Sequence, residues 1–353
     1  MCSNLKRKTG TYYGKRSSIC VPPIQSFQAA EVPLYSLALD ASGDVPTDGP
    51  SKAVGGGTAT ISNEIFNLVK CIVGAGVLSL PAGIASFANA PSAVLPASIL
   101  IALLGGISGY CFSLIGRVCA RTNASSYSDA WEKTIGTTSS FIPAVSCTFK
   151  TLTANLAYSM ILADTFKTLL ASVGINLSRS NTLFGVTGLI LLPLCLLQNL
   201  SSLAPFSLLG IFGMVYTAIA MIIRYLDRGY AVPGGQFLSG VPMELQPSFG
   251  TIGARGVFHP SSFILICTLS TAYMAHFNAA KFYKELKNNT LERYNTVVGT
   301  SFGISIALFI AMAATGFLTF GQAASGLILN NYSITDRLMG LSRIAVAISI
   351  VFS

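Results

Sequence analysis

The stretch "NEIFNLVKCIVGAGVLSLPAG", residues 63–83, is apolar almost throughout and long enough to enter a membrane, yet three features cut across it. Lys70 sits inside it, Gly74-Ala75-Gly76 interrupts it, and Pro81 follows. An ordinary lipid-embedded helix needs neither a charge nor a break. Two readings stand open. The small residues permit close helix packing, as they commonly do in membranes. Alternatively the backbone unwinds here around a polar cavity, where freed N–H and C=O groups survive within a bilayer.

The composition settles the class. Of 353 residues, 52% are hydrophobic and 10% charged, and the mean hydropathy is +0.62. Soluble domains carry roughly 25% charged residues, so the chain is a membrane protein. Residues 1–60 are rich in Gly, Ser, Pro, Lys and Arg without apolar periodicity, and read as a disordered cytosolic tail before a membrane domain at 61–353. No apolar run adjoins the first charges, which argues against a cleaved signal peptide. The net charge of +9 does not point to nucleic acid, because Lys and Arg gather at the ends of apolar segments instead of forming one basic stripe. Eight cysteines are scattered singly with no CxxC pair, and read as small hydrophobes with no metal or catalytic role. An intramembrane enzyme would need converging groups such as a Ser–His pair or a metal cluster, and His276 has no matching partner in sequence.

A span needs about 20 apolar residues. Segments near 63–86, 92–117, 141–170, 182–199, 203–225, 258–283 and 294–320 qualify, and another begins near 337 and reaches Ser353. The chain is therefore expected to be truncated in its eighth span and to work poorly as a carrier alone. Lys and Arg mark the tail, the loop after span two (Arg117, Arg121, Lys133) and the loop after span six (Lys281, Lys284, Lys287, Arg293). The loops near 87–91 and 321–335 hold none, which sets the tail and these basic loops in the cytosol. The long loop 226–257 then lies outside with the sequons at Asn176 and Asn331, while those at Asn123 and Asn288 lie inside.

Span six, "CTLSTAYMAHFNAAKFYKEL", places small and hydroxyl residues at its middle and runs antiparallel to span one. Paired interrupted helices in two inverted halves mark the substrate site of many secondary transporters. Half-helix N-termini there can hold a carboxylate, and freed carbonyls an amine or cation.

"FNLVKCIVGAGVLSLPAG" also resembles the first span of the amino acid/auxin permease family, with its N-x-x-x-x-x-G-x-G-x-L-x-L-P pattern carried by Asn67, Gly74, Gly76, Leu78, Leu80 and Pro81. "SSYSDAWEKTIG", "LAYSMILADTF", "AHFNAAKFYKELKNNTLERYNTVVG" and "RIAVAISIVFS" resemble later family segments in the family's order, over about residues 60–353. The resemblance implies an all-α, polytopic, five-plus-five inverted-repeat fold of eleven spans. It implies a secondary active transporter of amino acids, without a cofactor beyond a coupling H+ or Na+, working in a lipid bilayer by alternating access. The neutral amino acid branch is nearest, which includes sodium-coupled transporters and vacuolar permeases; plasma membrane, vacuole and lysosome all stay open. An amino-acid sensor or scaffold without flux is the alternative.

The candidate substrate-binding residues are Gly74, Ala75, Gly76 and Ser79 of span one with Ser270 and Thr271 of span six. Lys70, Asn67 and Ser353 form the candidate ion-coupling group. Lys70 either snorkels toward the cytosolic interface or stands at the ion site; family members with sodium coupling commonly have Asn at this position, and proton-coupled relatives can carry Lys. His276 is either a backbone-bonded neutral imidazole or part of a gate. Lys150 is either functional or a structural partner within the bundle. Glu64 reads as a solvated cap, Asp164 and Lys167 as a local ion pair, and Arg343 as a charge reaching the headgroups.

Overall fold

A computed structural model describes residues 57–196 and 204–351. The expected tail therefore lies outside the described residues apart from 57–60, and Ser353 lies outside them as well. The described chain is helical, with two isolated bridges, Ala59 to Leu286 and Ser248 to Gly321. The long elements are α1 (Ile61–Ile72), α2 (Leu80–Ala85), α3 (Val94–Thr122), α4 (Tyr127–Thr134), α5 (Phe141–Ser172), α6 (Arg179–Val186), α7 (Leu192–Cys195), α8 (Ala204–Leu226), α9 (Ser262–Ala272), α10 (Ala279–Glu285), α11 (Leu291–Phe320) and α12 (Arg337–Val351).

Among the described residues four helices are long and apolar enough to cross a membrane, and five if α1 and α2 count as one bent span. The expected spans at 141–170 and 182–199 are not in that set. The first forms the 32-residue α5, but Lys150, Asp164, Lys167 and many hydroxyls dilute its hydropathy. The second is a short helix that widens into a π turn at Thr187–Leu191, and it runs into residues outside the description.

The packing is that of a protein in lipid. Helix α3 buries Ala97, Ile101, Gly105, Gly109 and Gly116 and exposes Leu95, Ile99, Leu103, Ile107 and Leu114, each set recurring about every four residues. The inward face mixes small residues with Ile101 and Phe112, while the outward face is large and apolar, as a helix facing lipid requires. The inward stripe seats α3 on α11: a side chain at Gly105 would strike Ile306, one at Gly109 would press on Phe302, and one at Gly116 would strike Tyr294. Helix α11 also packs on α1, α2 and α8, so it forms the centre of the bundle. The near side, where α1 begins and α10 ends, is tied by Ala59 and Leu286. On the opposite, far side, Gly250 N–H donates to Asn89 O (2.9 Å) and Gln322 N–H to Ser248 O (2.8 Å).

The far side corrects three sequence readings. Arg343 does not reach the headgroups: it is 3% exposed and donates to Leu329 O, Tyr332 O and Ser333 O at 2.9, 2.7 and 3.4 Å. Its guanidinium closes carbonyls of an irregular segment that no helix could satisfy. Asp164 pairs with Arg179 at 2.6 Å and not with Lys167, because the α5–α6 turn brings the guanidinium back over α5. Asn331 is wholly buried, bonded to Leu245 O, Ala323 O and Ser325 N–H, whereas Asn176 is exposed. Of these two sequons, only Asn176 can meet a glycosyltransferase in the folded chain. Asn176→Gln is thus expected to remove every glycan-dependent mobility shift arising from the pair; a shift that persists and is lost on changing Asn331 would contradict the buried placement.

Candidate functional site

Thr60 caps α1 by accepting the Asn63 N–H at 3.3 Å, and the helix buries Leu68, Val69 and Ile72 on one face. Ser301 on α11 holds it by donating to Ile65 O at 3.3 Å. The helix then stops. Gly74 N–H, whose helical acceptor would be Lys70 O, turns instead to Ile72 O at 3.0 Å, and Gly74 takes an extended conformation. A tight turn of 3-10 helix, Ala75–Ser79, leads into α2, and the two halves meet at 45°. Ser79 donates to Gly76 O at 2.7 Å, which stiffens that turn.

A second break lies in the α9–α10 span. Ala275 N–H turns to Tyr273 O at 2.9 Å, the same two-residue reversal as at Gly74. A short turn, His276–Asn278, leads on to α10. The break falls at 273–275, beyond Ser270 and Thr271, which still belong to α9. Their hydroxyls donate back to Ile266 O (2.8 Å) and Cys267 O (2.9 Å), the usual resting place of a helical Ser or Thr. Both are exposed, so each keeps an acceptor lone pair for a ligand.

The two breaks are neighbours. Asn278 Nδ2 stands 3.9 Å from Cys71 Sγ, which joins the end of α1 to the turn before α10. Lys150 on α5 lies over the Phe277 ring at 4.4 Å, and Lys70, Lys150 and Lys281 all lie within electrostatic reach of Cys71. Lys70 is half-buried in the last turn of α1, where the carbonyl end of the helix favours a cation. Tyr158 on α5 had not been singled out by sequence: a side chain at Gly74 would come to 3.2 Å from its hydroxyl. At Gly76 the same atom would meet nothing within 4 Å, so the α-carbon faces open space. Asn67, half-buried, sits one turn before Lys70.

His276 lies on the inner wall, its Nε2 3.0 Å from Ser108 O and its ring edge-on to Phe112. Glu64 departs from the solvated cap expected of it. It is 0% exposed, and neither carboxylate oxygen has a hydrogen-bond partner. Two cavities lie away from the breaks, one of about 540 Å³ beside Asn89 and His259 and one of about 420 Å³ between α5 and α12 beside Arg337 and Arg343. No group of three His, Cys, Asp or Glu side chains is placed to hold a metal among the described residues.

The segment between α3 and α5 that carried part of the resemblance folds as α4. Asp129 accepts the Ser125 N–H at 2.7 Å and pairs with Lys133 at 3.0 Å. The Ser125 N–H, then Lys133, hold its carboxyl below the usual range.

A model of the family described as transmembrane amino acid transporter protein matches residues 57–353. A zebrafish (Danio rerio) protein provisionally named sodium-coupled neutral amino acid transporter 11 is 27% identical over 305 residues, covering 84% of this chain and 63% of its own. Amino acid transporter AVT6E of Arabidopsis thaliana is 25% identical, covering 77% of this chain and 54% of its own. Vacuolar amino acid transporter 7 of Saccharomyces cerevisiae is 24% identical, covering 78% and 52%. The chain thus spans between half and two thirds of the length of these relatives, each named as an amino acid transporter. With the match running across both broken spans and every helix between them, the chain belongs to the transmembrane amino acid transporter family.

Proposed function

We propose that this chain forms the substrate-binding part of a secondary active transporter that moves amino acids, of the neutral class, across a plasma or vacuolar membrane by alternating access. The observation that carries this reading is the pair of interrupted spans side by side, each with its helical hydrogen bonding broken by the same two-residue turn, at Gly74 and at Ala275. Each break offers backbone groups to the two charged ends that all amino acids share. The N–H groups at the start of the Ala75–Ser79 turn suit the carboxylate, and the carbonyl ends of α1 and α9 suit the ammonium. The antiparallel course of the two spans supports a five-plus-five inverted repeat, with the near side in the cytosol. Uptake of labelled neutral amino acid into vesicles carrying the purified protein tests the reading, with empty vesicles as the baseline.

For coupling, Lys70 favours the proton. Its ammonium stands at the carbonyl end of α1, where a bound sodium ion would otherwise supply the charge, and a lysine in a partly desolvated site can load and release a proton. Replacing sodium by choline is expected to leave uptake intact, and collapsing the pH gradient to suppress it. Lys70→Asn should abolish the pH dependence. Strict sodium dependence in the unmutated protein would return Lys70 to snorkelling toward the interface.

A further inference from the structure

The near side holds a group that this function does not use. Gly57–Ala59, just before α1, lies against the end of α10: Ala59 N–H donates to Glu285 O at 2.9 Å and Lys287 N–H to Ala59 O at 2.8 Å. The approach is so close that a side chain at Gly57 would strike the carbonyls of Lys284 and Glu285. This backbone strap fastens the start of one broken span to the end of the other. In the first turn of the helix that follows, Glu64 is 0% exposed and makes no hydrogen bond through either oxygen. The charged and titratable groups facing it are Lys281 and Glu285 from α10 and Tyr294 from α11.

An ionised carboxylate in such a place costs several kcal/mol unless it takes up a proton or meets water. Glu285 adds a like charge, which the Lys281 cation partly offsets, and burial closes the carboxylate off from solvent. We propose that Glu64 is a proton-binding site tied to this strap: it holds a proton while the near-side ends of α1 and α10 are fastened, and releases it to water when they part.

The balance is one proton. The carboxylic acid of the fastened state becomes a hydrated carboxylate in the open state, and the proton leaves to the near-side solution. Because opening releases the proton, raising the pH favours opening and lowering it favours the fastened state. The inference rests on the reading that the two broken spans move relative to each other, but it makes no use of substrate or flux.

Hydrogen exchange on the full chain in lipid nanodiscs tests it, read at the amides of Ala59 and Lys287 and corrected for the intrinsic rate at each pH. Opening is expected to rise with pH by up to about tenfold per unit, the limit for one released proton. Glu64→Gln should flatten that slope, with protection of the α11 core amides showing that the variant is folded. Gly57→Val should deprotect both amides at every pH. An unchanged slope in Glu64→Gln, or unchanged protection in Gly57→Val, overturns the proposal. A protein that exchanges as expected but moves no amino acid would refute the transport reading and leave this one standing.

Discussion

In a full-length transporter carrying this domain, Gly76→Val is expected to insert and fold normally and to reduce amino acid uptake to the background of empty vesicles. The backbone at Gly76 does not require glycine for its conformation, since it is absent from the left-handed positions among the described residues. What glycine supplies is space: a β-carbon there meets nothing within 4 Å, in the turn where the two broken spans approach each other. Valine would place its methyl groups where the substrate backbone must come, and would shield the N–H groups at the start of the turn. Gly74 differs, because a side chain there would press on the Tyr158 hydroxyl at 3.2 Å and push that side chain aside by a few tenths of an ångström. Gly74→Ala should therefore reduce uptake with a change in Tyr158 environment, and Gly76→Val without one. Normal uptake by folded Gly76→Val would refute the substrate site at the first break.

The first break was legible in the sequence because Gly74, Gly76 and Pro81 disrupt an otherwise apolar run. The second was legible only as a region. Ser270 and Thr271 drew attention by their polarity, yet the chain unwinds at Tyr273-Met274-Ala275, where no Gly or Pro marks it. Tertiary contacts set that position: the Tyr273 ring packs 4.7 Å from Phe309, and its hydroxyl donates to Ile101 O at 3.2 Å. Glu64 departs from its local pattern for a related reason. A carboxylate in the first turn of a helix is normally solvated, and nothing local shows that α10 and α11 will close over it. Arg343 and Asp336 were illegible because their partners lie outside their own helix, in a preceding irregular segment and, for Asp336, 112 residues away at Arg224. Charge pairs at that separation have no periodicity to betray them.

That distant pair carries the largest expected effect on stability. Asp336 is 0% exposed and accepts both Arg224 Nε and Nη2 at 2.7 Å, the Tyr230 hydroxyl at 2.9 Å and the Leu338 N–H at 3.0 Å. It thus caps α12 and fastens it to the end of α8 in one group. Further along, the same two helices come close at small residues, Gly210 against Ser349 and Gly213 against Ala345, and the Tyr216 hydroxyl donates to Leu338 O at 3.2 Å. Asp336→Ala would leave Arg224 with Asp227 alone, at 2.7 Å, would strip the buried Tyr230 hydroxyl of its acceptor, and would uncap α12. Removing one partner of a buried pair costs about 3–5 kcal/mol, most of it the penalty on the charge left behind. Replacing both partners with apolar residues of similar volume avoids that penalty, so Arg224→Met with Asp336→Leu should recover much of the loss. Unfolding in mixed micelles measures both variants. A single-variant loss below about 1 kcal/mol, the range of a solvent-exposed pair, would show that water reaches Asp336 and that α12 is held to α8 by its other contacts.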